Sequence, residues 1–316
     1  MDSVLLTVLI VLGLIAALYA WAQTSPSAAT HLLMGMIRRL VRLKSKELIA
    51  DGLTWRYLEK GESNHDVVLL VHGFGADKDT WLAYVPHLGS HYRVICPDLP
   101  GFGDATDEVV SDFTPKQQAE RLLAFMCALG IESAHVVGSS MGGFIAAWMA
   151  MLAPRRIASL TLMNAAGVSG ATPSFMEPKV IAGESPLVPT NPDELDEVLS
   201  ILSVKPLFIP RFVKRNLLDR YLKYGELWRK IFDDLVQAQQ DDRIADLIAK
   251  IQAPTLVVWG DSDQVLHVSC ADVFVEQITH SRLLVLPRVG HIPMYEAPLA
   301  VARAQLALMD SAAASS

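Results

Sequence analysis

Residues 134–152 constrain the fold more than any other stretch. The apolar run Ala134–Ser139 passes through Gly138-Ser-Ser-Met-Gly142 directly into a helix of small and apolar residues. A chain that turns from strand to helix this sharply must hold its central residue in a strained backbone conformation. Gly138 and Gly142 keep side chains out of the crowded turn, so the Ser140 hydroxyl projects freely. Ser139 lacks that setting, because Val137 and Met141 flank it. The amides that begin the next helix favour negative charge beside Ser140.

The rest of the body repeats this strand and helix rhythm. Short apolar runs bounded by turns recur at Leu53–Leu58, Val67–His72, Tyr92–Cys96, Ala134–Ser139, Ser159–Asn164, Thr255–Trp259 and Arg282–Leu286. Several are nearly all apolar, as expected of strands buried on both faces of a mostly parallel sheet. Helical patterns at Pro115–Leu129 and Gly142–Leu152 lie between them, the second stopped before Pro154. The fold class is α/β. Between about 168 and 249 the rhythm lapses into a Pro-rich and then helical segment. That segment reads as a helical cap over the carboxyl end of the sheet, where ligands bind in such folds. The expected division is a core at 50–167 and 250–316, interrupted by the cap at 168–249.

A hydroxyl needs a base before it can attack. His291, in Gly290-His-Ile-Pro-Met-Tyr-Glu-Ala-Pro298, follows the last expected strand by a short loop, at the same sheet edge as Ser140. The base in turn needs a carboxylate that fixes its tautomer. Strand Thr255–Trp259 ends in Gly260-Asp-Ser-Asp-Gln. Asp263 is chosen over Asp261, which suits a turn, because three residues past the glycine is the usual station in such a loop. For the developing oxyanion, the amides of Phe74 (in His72-Gly-Phe-Gly75) and Met141 are the candidate donors. No metal-ligand cluster or phosphate-cradling loop competes, so no cofactor is expected.

Charge and hydropathy separate the N-terminus from this body. Val4–Trp21 is an apolar run of about 27 Å as a helix, close to the hydrocarbon thickness of a bilayer. Residues 1–22 are therefore expected to be a transmembrane anchor, with Tyr19 and Trp21 at the interface. After a linker from residue 23, His31–Leu48 has helical periodicity, with Leu33, Met36, Ile37, Leu40 and Leu43 on one face and Arg38, Arg39, Arg42 and Lys46 on the other. It suits an anionic membrane surface, or packing on an acidic body. Residues 1–48 carry a net +3 of the overall −7, leaving −10 for the body, which excludes nucleic acid as a partner. Gly13, Ala16, Ala17 and Ala20 are small enough for close helix contact, which is compatible with a homodimer. Three widely spaced cysteines read as small buried hydrophobes.

From about residue 50 to 310 the chain resembles the α/β-hydrolase superfamily. Within it, the chain resembles membrane-anchored monoacylglycerol lipases and bacterial membrane-bound lipases and phospholipases A1. The likeness is carried by His72-Gly-Phe-Gly-Ala-Asp-Lys-Asp-Thr-Trp81, Gly138-Ser-Ser-Met-Gly-Gly143, Pro186-Leu-Val-Pro-Thr-Asn-Pro-Asp-Glu-Leu195 and Trp259-Gly-Asp-Ser-Asp-Gln-Val-Leu266. It implies hydrolysis of glycerolipid esters by Ser140, His291 and Asp263. It also implies a single anchor in a bacterial inner membrane, with the body on the periplasmic side. The basic residues after the anchor argue instead for the cytoplasm. The alternative activity is cleavage of a carbon–carbon bond in a soluble ring-cleavage product, and a scaffold without catalysis is disfavoured because every part of the triad is present.

Overall fold

The computed structural model describes residues 3–63, 65–107, 110–240 and 247–313. Eight strands form one sheet: β1 (Lys44–Ala50), β2 (Leu53–Lys60), β3 (Val67–Val71), β4 (Arg93–Pro97), β5 (Ala134–Ser139), β6 (Ile157–Met163), β7 (Thr255–Gly260) and β8 (Ser281–Leu286). Their spatial order is β1-β2-β4-β3-β5-β6-β7-β8, antiparallel at β1, β2 and β4 and parallel from β4 onward. Alternating residues feed two cores, one on each face: Leu69, Val71 and Val136 on one side, Val68, Leu70 and Val137 on the other. Burial on both faces is why these strands read as unbroken apolar runs.

Helices α3 (Pro115–Ala128) and α4 (Met141–Leu152) pack together beside the central strands. Between β6 and β7 the chain inserts α5 (Glu177–Ile181), α6 (Pro192–Leu202) and α7 (Arg211–Gln239). The start of α6 follows from sequence. The Asn191 side chain accepts the Glu194 amide, Glu194 reaches back to the Thr190 amide and hydroxyl, and Pro192 occupies the first turn. On α7, Tyr221, Trp228, Ile231, Phe232 and Leu235 turn inward, whereas Leu222, and Phe208 just before the helix, face solvent. Beyond β7 come α8 (Ser269–Gln277), α9 (Pro293–Glu296) and α10 (Pro298–Ala313).

The N-terminal segment departs from expectation in two ways. First, α1 (Ser3–Thr24) is a 22-residue helix, and several of its side chains lie outside the described residues. Among the described residues no helix is long and apolar enough to cross a membrane. The expected span over 1–22 therefore lacks structural support. Second, the helix expected over His31–Leu48 is α2 (Pro26–Leu40), and Lys44–Ala50 is instead the edge strand β1. α2 ends in a Schellman motif, with Leu43 N–H on Arg38 O at 2.8 Å and Arg42 N–H on Arg39 O at 3.1 Å. The left-handed residue there is Arg42 (φ 62°), not the glycine that usually marks such an end. β1 then joins β2 through Asp51-Gly52, both at positive φ, the two-residue hairpin turn.

The inner face of α2 packs on the body. Met34, Ile37 and Val41 meet the second core, and Arg38 lies 2.5 Å from Asp79. Leu32, Met36 and Leu40 stay exposed. Cys96 and Cys270 are buried as expected, but Cys127 is exposed.

Candidate active site

Five strands deliver the candidate residues by their carboxyl ends. β3 runs into His72–Phe74, β5 into Ser140, β6 into Asn164, β7 into the loop of Asp263 and β8 into that of His291. Ser140 sits at φ 54° and ψ −121° between β5 and α4. A Cβ on Gly138 would lie 2.1 Å from Gly142 O, and one on Gly142 would lie 2.2 Å from Val71 O. Both glycines are therefore required by contact with backbone, which cannot yield. Gly73 lies directly beside the serine, since a Cβ there would approach Ser140 Cβ to 3.2 Å.

Asp263 and His291 are joined. The imidazole Nδ1–H donates to Asp263 Oδ2 at 2.8 Å, and the two side chains are 0% and 6% exposed. The carboxylate also accepts the amides of Val265 (2.8 Å) and Leu266 (3.1 Å) on Oδ1. With Nδ1 committed as a donor, Nε2 is the free, basic nitrogen. Ser140 and His291 line the same cavity of about 210 Å³. No hydrogen bond links them among the described residues; such bonds are often long before substrate binds and tighten afterwards.

Two partners of this pair escaped the sequence reading. Asn164, fully buried at φ 44°, donates from Nδ2 to Asp263 Oδ2 at 2.6 Å and to Gly290 O at 3.3 Å. It braces the carboxylate and the histidine loop together. Glu296 accepts the Gly290 amide at 2.6 Å and the Val204 amide at 2.9 Å, so one carboxylate ties the histidine loop to the end of α6. The one available signal for Asn164 is a polar residue at the end of an apolar strand.

The candidate oxyanion loop is set by His72. Its Nε2 accepts the Leu99 amide at 3.0 Å, which leaves Nδ1–H to donate to Gly73 O at 2.8 Å. In a trans peptide the N–H points opposite to the C=O. Fixing the Gly73 carbonyl toward His72 therefore turns the Phe74 amide away from it. Met141 opens α4, where the first amides have no intrahelical acceptor. Burial lowers the His72 pKa to about 4, against roughly 6.5 in an unfolded chain. The folded state thus excludes the proton, so this contribution to stability is complete above pH 6.5 and is lost as pH falls toward 4. Stability is expected to drop by about 3 kcal/mol across that window through this residue alone. Urea unfolding at pH 7 and pH 4.5 checks it against His72→Phe, which should lose that part of the slope.

A second cavity, of about 160 Å³, meets the first at Phe74, Ser140 and Leu187. It runs between α5, α7 and the loop after β7, lined by Val168, Met176, Val180, Phe232, Val265 and others. From α7, Leu217, Tyr221 and Phe232 reach these cavities. A wider cleft, about 1,240 Å³, lies between α2 and α7 and does not touch Ser140.

The profile described as alpha/beta hydrolase fold matches residues 66–298. The chain belongs to the alpha/beta hydrolase fold family. It is an enzyme of this hydrolase family, and relatives that match it are named lipases. It is 29% identical to the monoacylglycerol lipase ABHD6 of Rattus norvegicus over 303 residues, 93% of this chain and 89% of that one. It is 34% identical to Lipase 3 of a Moraxella species (strain TA144) over 251 residues, 79% of each. Among solved structures, a membrane phospholipase A described as a bacterial virulence factor superimposes with a TM-score of 0.86 at 33% identity, covering 99% of both chains. A meta-cleavage product hydrolase from Pseudomonas fluorescens shares this hydrolase fold with a TM-score of 0.70 at 25% identity, over 84% of this chain and 98% of that one.

Proposed function

We propose that this hydrolase cleaves carboxylic esters of glycerolipids through an acyl-enzyme on Ser140. The observation that carries the reading is the Asp263–His291 hydrogen bond, whose free imidazole edge shares a cavity with a serine held at positive φ. His291 Nε2 takes the hydroxyl proton as Ser140 Oγ attacks the ester carbon. The carbonyl electrons move onto oxygen, which the Phe74 and Met141 amides receive. Collapse of the intermediate expels the alcohol, protonated by His291, and leaves the acyl group on Ser140. Water, deprotonated by the same imidazole, then releases the fatty acid. Asp263 holds the tautomer and stabilises the imidazolium throughout.

Mostly apolar walls around Ser140 favour acyl chains, as do the names of the relatives. The apolar run Val4–Trp21, the outward Leu32, Met36 and Leu40 of α2, and the membrane phospholipase likeness support association with a bilayer.

The likeness to a meta-cleavage product hydrolase supports a second reading, cleavage of a carbon–carbon bond. Purified full-length protein in detergent discriminates the two. Monoacylglycerol, lysophospholipid, diacyl phospholipid and a ring-cleavage dienoate are compared by kcat/KM. A glycerolipid ester is expected to lead, with the dienoate untouched; turnover of the dienoate alone would replace this reading by the second.

A further inference from the structure

The oxyanion loop is followed at once by three charged residues, Asp77-Lys78-Asp79, and each is tied to a different part of the molecule. Asp77 accepts Arg220 of α7 at 3.1 Å. Lys78, 3% exposed, reaches Asp98 and Asp104 at 2.6 Å each, in the loop after β4. Asp79 accepts Arg38 of α2 through both carboxylate oxygens, at 2.7 Å from Nε and 2.5 Å from Nη2. The Arg38 and Asp79 side chains are only 16% and 14% exposed, so this is a bidentate pair largely out of water, not a surface contact.

These ties continue into the oxyanion loop by bonded steps. Asp98 is the immediate neighbour of Leu99, whose amide fixes His72 and through it the Gly73–Phe74 peptide. On the other side, a Cβ at Gly75 would meet the Tyr221 hydroxyl at 2.4 Å, so α7 presses on the loop beside the Arg220 tie. α2 itself packs on α7. The segment 75–79 is therefore gripped between α2 and α7, and α2 carries none of the triad residues.

We propose that Arg38 is a positioning residue of the oxyanion loop, so that the N-terminal helix α2 is part of the catalytic scaffold. Loss of the guanidinium strands the Asp79 carboxylate in a half-dry pocket beside Asp77, and the loop relaxes to relieve it. The Phe74 amide then drifts from the position where the oxyanion forms. This lowers transition-state stabilisation and leaves ground-state binding alone.

The inference rests on ester hydrolysis at Ser140, and its test separates the two. Full-length protein in detergent is assayed with a soluble short-chain p-nitrophenyl ester, which removes any dependence on a lipid surface. Arg38→Ala is expected to lower kcat by about 10- to 100-fold with KM within about twofold, a partial form of losing one oxyanion donor. Arg38→Lys should recover part of kcat, and Arg38→Ala/Asp79→Asn, which leaves no stranded charge, should fold like the wild type and be no slower than Arg38→Ala alone. An Arg38→Ala enzyme with wild-type kcat overturns the proposal. So does a loss expressed wholly in KM, or a double variant whose two losses simply add. A wild type inactive on every ester would instead sink the functional reading itself.

Discussion

Replacing Ser140 by alanine is expected to lower ester turnover by about 10⁴- to 10⁶-fold, the scale on which removal of a triad nucleophile acts. The same variant should lose labelling by a fluorophosphonate. The change is clean because the strain at φ 54° comes from Cβ, which alanine keeps, and no partner of the hydroxyl is left stranded. Tm should therefore stay close to that of the wild type, and loss of activity cannot be assigned to unfolding. Retained labelling in Ser140→Ala would move the nucleophile elsewhere and with it the roles given to His291 and Asp263.

The second large effect is on stability. Lys78→Met is expected to destabilise the fold by about 3–5 kcal/mol, because it breaks a buried ion pair from one side only. Burial alone would lower the Lys78 ammonium, but the charges of Asp98, Asp77 and Asp104 outweigh it and hold it above the usual lysine range. Burial pushes the Asp98 carboxyl up to about 6 even against the Lys78 ammonium, so without that partner it must either stay as a lone buried charge or take up a proton, and both cost stability. Two amides, Lys78 N and Asp104 N, also hold Asp98 in place, and they cannot neutralise it. Thermal unfolding should show a fall in Tm on the order of 10 °C. Lys78→Met/Asp98→Asn should regain part of it, since no lone charge remains. A single variant as stable as the wild type would show that water or a shifted loop solvates Asp98 at no cost.

Much of the fold was legible because burial on both faces writes itself as uninterrupted apolar sequence. β3 to β7 announced themselves in that way, β2 and the edge strand β8 only as β-rich runs bounded by turns, and Ser140, Asp263 and His291 each follow a strand within a short loop. β1 did not, because as an edge strand it keeps Lys44, Lys46 and Glu47 in solvent, and charged residues at that spacing suit a helix equally well. The Asp51-Gly52 turn was the sign that residues on both sides pair as a hairpin. The end of α2 was hidden for another reason: Arg42 adopts the left-handed conformation that glycine usually advertises. Asn164 and Glu296 belong to the site only through tertiary proximity. Asn164 meets Asp263 across 99 positions and Gly290 across 126, a closeness that no local pattern encodes.

The meeting of two cavities at a single hydroxyl bears on the order of events in a turnover. Among the described residues Phe74 and Leu187 are the other walls that both share, so under the proposed reading the two halves of a cleaved ester have separate spaces on either side of Ser140. The first fragment can diffuse off through its own passage while the second is still bonded to the serine, and the vacated side gives water a path to the imidazole. Under the proposed reading, such a floor plan makes the kinetics ping-pong by construction.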